Sequence, residues 1–366
     1  MYTFVGVLFV LTVVIFFHEL GHFLVARWCG VAVKTFSIGF GPEIGGFTDR
    51  HGTRWRLSWI PLGGYVQFID DDNVASATQK PLEQLTPEER EGSFQSKPLG
   101  VRAAVVAAGP IANFVVAIAI FTAVFALFGE RMTAAKVDSV MPGSAAERAG
   151  FLPGDVVISI DGQKIESFGE MQRIVAISPD QPLRFVIDRG GAEIEVTATP
   201  ERKETNDFFG NTVRRGLIGI QRSAAPDDWT LKRYDPVSAF GRAVQECYLI
   251  VTQSLSYLFK LVTGRESADQ LSGPIGIAQI AGEVASISFI ALLSLTAVLS
   301  VSIGLLNLFP IPILDGGHLL FYSIEAIRGR PLSESTQEIG FRIGLAFVLM
   351  LMIFATWNDL IYNKFL

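Results

Sequence analysis

The chain has 366 residues, is 49% hydrophobic and carries a formal net charge of −6, with a mean hydropathy of +0.39. That hydropathy is high for a soluble protein and low for a pure membrane bundle, so several membrane spans plus a water-soluble domain are expected. The acidic balance argues against a general nucleic-acid binder, and two cysteines, Cys29 and Cys247, far apart and in no metal-type spacing, suggest neither a disulfide framework nor a cysteine zinc site.

An apolar run from Val5 to Ala26 is long enough to cross a bilayer as a helix. Met1-Tyr2-Thr3 carries no basic region and no small-residue cleavage site follows the run, so it reads as a retained span and not as a removable signal. Inside it stands His18-Glu19-Leu20-Gly21-His22, the pattern H-E-x-x-H. On a helix His18 and His22 lie one turn apart on one face. There two neutral imidazoles can share a metal ion, with Glu19 beside them to take a proton from metal-bound water. Two ordinary core histidines and a stray carboxylate are the alternative. The bilayer weakens it, because each ionisable group at that depth costs roughly 2.5–3.5 kcal/mol unless it is used.

From Val31 to Phe68 the pattern changes to Gly-punctuated alternation, which predicts hairpins. The aromatics Phe36, Phe40, Trp55, Trp59, Tyr65 and Phe68 favour a sheet dipping into the membrane interface beside the first helix. An open edge of such a sheet can pair with an extended peptide. Asp70 to Gly92 reads as a polar, acidic loop. A second span follows from Val101 to Phe128. Its Gly109-Pro110 loosens the helix and allows close packing, and Asn113 is placed to hydrogen-bond across helices or towards a substrate.

Glu130 to Ser223 is soluble in character, with short strands, a helix and strong turns. Its segment Ala145–Gly162 resembles the circularly permuted bacterial PDZ fold, which implies binding of extended peptides by edge addition. Gly216-Leu217-Ile218-Gly219-Ile220 is either a carboxylate-binding loop or a closing strand. A third span, Ile287 to Leu308, runs into Asn307-Leu308-Phe309-Pro310-Ile311-Pro312-Ile313-Leu314-Asp315. Two histidines and one carboxylate with a fourth position open form the catalytic zinc pattern, so Asp315 is the expected third ligand; a plain helix cap is its alternative. Pro310 and Pro312 break the helix, and irregular backbone at membrane depth is tolerated where it is buried or lines a wet cavity. His318 is either a further ligand or a residue behind the ligands. The amphipathic stretch 243–262, with Glu246 and Lys260, is laid on the outer surface, because a crossing there would carry Asp315 to the wrong face. The last span is Phe341 to Ile361. Four crossings leave both termini on one side. Arg27, Lys34, Lys97, Arg102, Arg328 and Arg330 flank the metal end, which puts that end in the cytoplasm and the PDZ-like domain outside.

The expected architecture is a polytopic α-helical membrane protein with four transmembrane helices, a membrane-associated β-hairpin region and one extracytoplasmic PDZ-like α+β domain. Its divisions are 1–30 (first span with H-E-x-x-H), 31–100 (β region and cytoplasmic loop), 101–128 (second span) and 129–223 (PDZ-like). They continue as 224–285 (amphipathic surface helix and linker), 286–320 (third span with the Asp motif) and 321–366 (cytoplasmic segment and fourth span).

Seven motifs stand in order: His18-Glu19-x-x-His22, Phe40-Gly41-Pro42, Pro61-Leu62-Gly63-Gly64-Tyr65-Val66, Ala108-Gly109-Pro110-x-x-Asn113-Phe114, the PDZ segment, Gly273-Pro274-Ile275-Gly276 and Asn307-x-x-Pro310-x-Pro312-x-x-Asp315-Gly316. Together they make the chain resemble bacterial site-2 proteases of the RseP type from end to end. The resemblance implies Zn2+ held by His18, His22 and Asp315, Glu19 as the catalytic base, and substrate contacts at Asn307, Pro310 and Pro312, with Asn113 a further substrate-binding candidate. It implies cleavage of membrane-spanning helices in the bacterial inner membrane, of an anti-sigma factor or of leftover signal peptides, with the lipid bilayer as the setting and no nucleic acid involved. Some such enzymes carry two PDZ domains in tandem, and only one fits here. Two rivals stand beside this reading. A membrane metal transporter would be expected to show internal repeats and has no use for Glu19, and a non-catalytic PDZ scaffold does not need intact metal and base residues.

Overall fold

The computed structural model describes residues 2–71, 84–206, 212–222, 229–264 and 273–362. The chain divides into two units, one holding Met1–Thr122, Phe240–Glu266 and Leu271–Leu366, the other built on Ala123–Ala239.

Helix α1 (Tyr2–Trp28) is apolar on all sides, as a membrane span is. It ends where Gly30 takes a left-handed φ of 71°, and Val31 N–H donates back to the Ala26 carbonyl at 2.8 Å. Strands β1 (Val33–Thr48) and β2 (Arg54–Phe68) form one antiparallel hairpin that folds back on itself. Residues 33–38 have partners both among 64–68 and among 54–57, while 43–48 pair with 54–58, so the sheet's two outer segments are 43–48 and 64–68. Asp49 orders the turn. It accepts from the His51 and Thr53 amides, from Trp55 Nε1 and, at 2.6 Å, from Arg27 Nη1, which ties the hairpin tip to the end of α1.

One face of the hairpin packs on α1. Phe36, only 1% exposed, lies in a core with Phe23, Val31, Val33, Val66, Phe94 and Val105. Away from that core the hairpin leaves Ile44, Phe47, Ile60 and Trp59 (67%) exposed, as an interfacial sheet requires. Of the expected 70–92 loop, residues 72–83 lie outside the described residues. The remainder holds α2 (Pro87–Gly92), entered by a Thr86/Glu89 capping box. Buried Asp70 fastens the stretch by accepting from Ser93 Oγ and the Phe94 and Gln95 amides. Helix α3 (Leu99–Ala123) carries Pro110 in its interior and continues as a π turn, Val124–Phe128.

In the second unit, β3 (Glu130–Thr133) pairs with β12 (Trp229–Lys232) and β4 (Ser139–Val140) with β11 (Ile220–Gln221). Between them lie α4 (Ala145–Ala149), β5 (Val156–Ile160), β6 (Gln163–Lys164), α5 (Phe168–Ile177), β7 (Leu183–Arg189), β8 (Ala192–Ala198) and the pair β9 (Glu201–Asn206) and β10 (Thr212–Leu217). The main sheet has the order β6-β5-β7-β8, and its core gathers Val137, Ala146, Phe151, Val157, Ile160, Phe185 and Ile187. Ile218 and Gly219 carbonyls accept from Ala146 and Met141 amides. That bonding and the β11 pairing match the closing-strand alternative for residues 216–220.

Helix α6 (Pro236–Val262) is amphipathic, burying Ala239, Ala243 and Cys247 on one stripe. The expected linker up to 285 requires a correction: its end is α7 (Pro274–Ile287). This helix is too short to span, but its small residues let it lie directly on α1, where a side chain at Gly282 would run into Thr3 and one at Gly6 into the Ala281 carbonyl. Helices α8 (Phe289–Asn307), α9 (Asp315–Arg328) and α10 (Glu334–Tyr362) complete the unit. Four helices among the described residues are long and apolar enough to cross a membrane: Thr3–Trp28, Leu99–Phe128, Phe289–Asn307 and Ser335–Leu360.

Candidate active site

Helix α1 presents His18 and His22 one turn apart, and the first residue of α9 meets them. His18 Nε2 lies 3.2 Å and His22 Nε2 3.5 Å from Asp315 Oδ2, and the two Nε2 atoms are 3.3 Å apart. Asp315 Oδ2 is buried and has no hydrogen-bond donor. A buried carboxylate oxygen without a donor is costly unless a cation is meant to sit there. The separations agree with that. A tetrahedral site with bonds of about 2.0–2.1 Å has ligand–ligand edges of about 3.3–3.4 Å. These are the three residues whose donor atoms cluster for a metal among the described residues.

Space for the cluster comes from α3. A side chain at Gly109 would overlap the His22 imidazole, and one at Gly21 would strike the Ala108 carbonyl, so α1 and α3 meet backbone to backbone. His22 Nδ1 donates to the Val105 carbonyl at 2.8 Å, which fixes the tautomer that leaves Nε2 free to ligate. Asn113, with 0% exposure, places its amide 3.3 Å from His18 Nδ1, and Ser300 Oγ on α8 donates to the Asn113 carbonyl at 2.9 Å. The group that Asn113 faces across the helices is therefore a histidine.

Asp315 is held by a compact loop. Asn307 is the last residue of α8, and the chain then turns through Pro310 and Pro312, with the Leu314 amide donating to the Ile311 carbonyl at 3.0 Å. Side chains at Gly316 and Gly317 would collide with the Phe309 and Ile311 carbonyls, so the two glycines let the loop lie on the first turn of α9. Ile313 sits at φ 112°, a strained conformation for a β-branched residue, two positions before Asp315. His318 stands apart from the cluster, its ring 5.3 Å from that of Phe341 and 6.5 Å from that of Tyr322.

Glu19 follows His18 on α1 and interacts electrostatically with His22, His18 and Asp315. The outer segment 64–68 passes over it: a side chain at Gly64 would come within 3.3 Å of Glu19 Cγ. Sequence reasoning missed the Val105 carbonyl and, although it marked Gly109 for close packing, missed that the space there houses the imidazoles. The former is a backbone atom, and the latter is the absence of a side chain.

The Peptidase family M50 profile matches residues 6–351. The chain belongs to peptidase family M50. This M50 peptidase is 49% identical over 360 residues to a candidate zinc metalloprotease of Rhizobium meliloti, covering 98% of this chain and 96% of that one. It is 41% identical to metalloprotease MmpA of Caulobacter vibrioides (97% and 94% covered). With the regulator of sigma-E protease RseP of Salmonella typhimurium it shares 32% identity (95% and 96% covered). The M50 peptidase is a site-2-type zinc metalloprotease, and its donor set of two imidazoles and a carboxylate suits that metal. A PDZ domain of an SdrC-like protein of Listeria monocytogenes matches 24% of the chain and 85% of its own at 19% identity, with a TM-score of 0.19.

Proposed function

We propose that this M50 peptidase cuts membrane-spanning segments of single-span proteins within the bacterial inner membrane, an anti-sigma factor or remnant signal peptides being the substrate classes. The observation that carries the reading is the meeting of His18, His22 and Asp315 at 3.2–3.5 Å, on helices with apolar surfaces, with Glu19 at their side. Four crossings put the metal end towards the cytoplasm and both termini and the second unit in the periplasm, following the arginines and lysines at 27, 34, 97, 102, 328 and 330.

His18, His22 and Asp315 would hold Zn2+, which when bound would polarise the scissile carbonyl and lower the pKa of water to about 7. Glu19 takes the proton of the attacking water and passes it to the leaving amine nitrogen. A substrate helix cannot be cut, because its carbonyls are bonded and covered. It unwinds, and pairing along the hairpin's outer segment 64–68, which passes over Glu19, replaces the lost helix bonds. Asn307, Pro310 and Pro312 line the approach of the extended strand, with Asn113 buried behind His18. The second unit acts as a PDZ-like domain that excludes substrates with bulky outer parts or binds a freshly exposed C-terminus.

Glu19→Gln tests the assignment. The purified variant is expected to retain zinc and to leave a single-span reporter uncut. Unchanged cleavage would remove Glu19 as the base, and purified wild-type protein without zinc would remove the whole reading.

A further inference from the structure

We infer that Asn113 is a positioning residue for the metal centre: its carboxamide oxygen accepts the Nδ1 proton of His18 and locks that ring in the tautomer whose Nε2 binds zinc. The inference rests on the reading that His18 is a ligand. As a zinc ligand through Nε2, which faces Asp315 and His22 Nε2, His18 carries its proton on Nδ1, which needs an acceptor. The atom facing Nδ1, at 3.3 Å, is Asn113 Nδ2, which is a donor. At the other end of the same amide, Asn113 Oδ1 is buried and has no donor within reach. Turning the carboxamide by half a revolution removes the donor–donor contact and gives Oδ1 the Nδ1 proton to accept. The two ends of an amide are alike in shape, and hydrogen bonding decides which is which.

The surroundings fix the group in that place. Asn113 is fully buried, its backbone carbonyl receives Ser300 Oγ, and a side chain at Gly304 on α8 would come within 3.2 Å of its Cβ. The two histidines then have parallel arrangements. His22 Nδ1 is held by the carbonyl of Val105 and His18 Nδ1 by the amide oxygen of Asn113, both on α3 and eight residues apart. One helix thus sets both rings, and α8 sets Asn113.

The test compares full-length wild type, Asn113→Leu and Asn113→Asp in detergent, measuring zinc affinity by competition with a chromophoric chelator and the thermal unfolding of each metal-free protein. Asn113→Leu, of similar size but with no acceptor, is expected to bind zinc about 10–100-fold more weakly. Asn113→Asp offers only acceptors at the same position and is expected to bind zinc at least as tightly as wild type. Wild-type zinc affinity in Asn113→Leu, with only KM for a single-span substrate raised, would overturn the inference and leave a substrate contact. Loss of zinc from a folded Asn113→Asp would overturn it as well, because the amide would then be needed as a donor. Should Asn113→Leu fail to fold, Asn113→Asp decides alone. Wild type that binds no zinc defeats instead the ligand assignment beneath the inference, a result separate from any difference among the variants.

Discussion

Gly109 lies so near His22 that a methyl group at this position would overlap the imidazole Nε2 and stand 2.9 Å from His18 Cε1. The metal site therefore depends on an atom that the sequence leaves out. Gly109→Ala is expected to displace both rings and lower zinc affinity by about 10–100-fold, a loss of the size seen when partners of metal ligands are removed. Metal content after dialysis against a graded chelator series measures it. Wild-type retention of zinc would show that α1 and α3 can separate at no cost.

Gly344 on α10 has the same relation to Pro312: any side chain would run into the proline's carbonyl. Pro312 lies three residues before Asp315, in the loop assigned to the substrate. Gly344→Ala is expected to push that loop aside while the three ligands keep their metal. Displacements near 1 Å can cost as much as about 100-fold in rate, so kcat/KM should fall with zinc content unchanged. A parallel loss of zinc would mean that the loop and the ligand move together.

Arg102 on α3 donates to Glu325 on α9 at 2.6 Å and lies 5.0 Å over the ring of Tyr322. Both charged side chains are largely buried, so the pair escapes most solvent screening. Arg102→Met leaves Glu325 without this donor and should lower stability by roughly 1.5–3 kcal/mol. Arg102→Lys should recover only part of it, because a lysine lacks the planar fork that serves both partners. Thermal unfolding in detergent, followed by circular dichroism, separates the three proteins.

The second unit has its own buried pair. Asp155, 1% exposed, accepts from Arg189 Nε at 2.7 Å and Nη2 at 2.8 Å and from the Leu152 amide at 2.8 Å. Burial alone would raise its pKa, but the Arg189 guanidinium and that amide outweigh it and hold the carboxyl below its ordinary value. A depressed folded pKa means stability that is present above the unfolded value of about 3.9 and is lost as pH falls through the folded one. Asp155→Asn should thus destabilise the unit at neutral pH, and its deficit relative to wild type should shrink on acidification below about pH 4. Hydrogen exchange across β5 and β7 in the full-length protein, measured at several pH values, reads both effects.

What could be read in advance followed the strength of the local signal. The long apolar runs gave α1, α3, α8 and α10, and glycine punctuation gave the hairpin, although not its double pairing, because register between distant segments has no local mark. His18 and His22 were legible from helical spacing alone. Asp315 needed a topological argument, which its 3.2 Å approach to His18 satisfies. The stretch that holds α7 was read as linker, and the helix's reason for existing, contact with α1, is tertiary. The Val105 carbonyl, the gap at Gly109 and the nearness of Gly344 to Pro312 have no side-chain signature at all.

Asp359, near the end of α10, closes the first turn of α7 by accepting from the amides of Gly273, Ile275 and Gly276 at 2.9–3.1 Å. Helix α7 in turn leans on Thr3 and Gly6 at the start of α1. A residue near the end of α10 therefore finishes the support of α1, the helix that carries both histidines. Without that carboxylate the first turn of α7 holds three bare amides away from water, where each is expensive. A premature stop upstream of it would release a chain that carries every zinc ligand and yet lacks a settled first span.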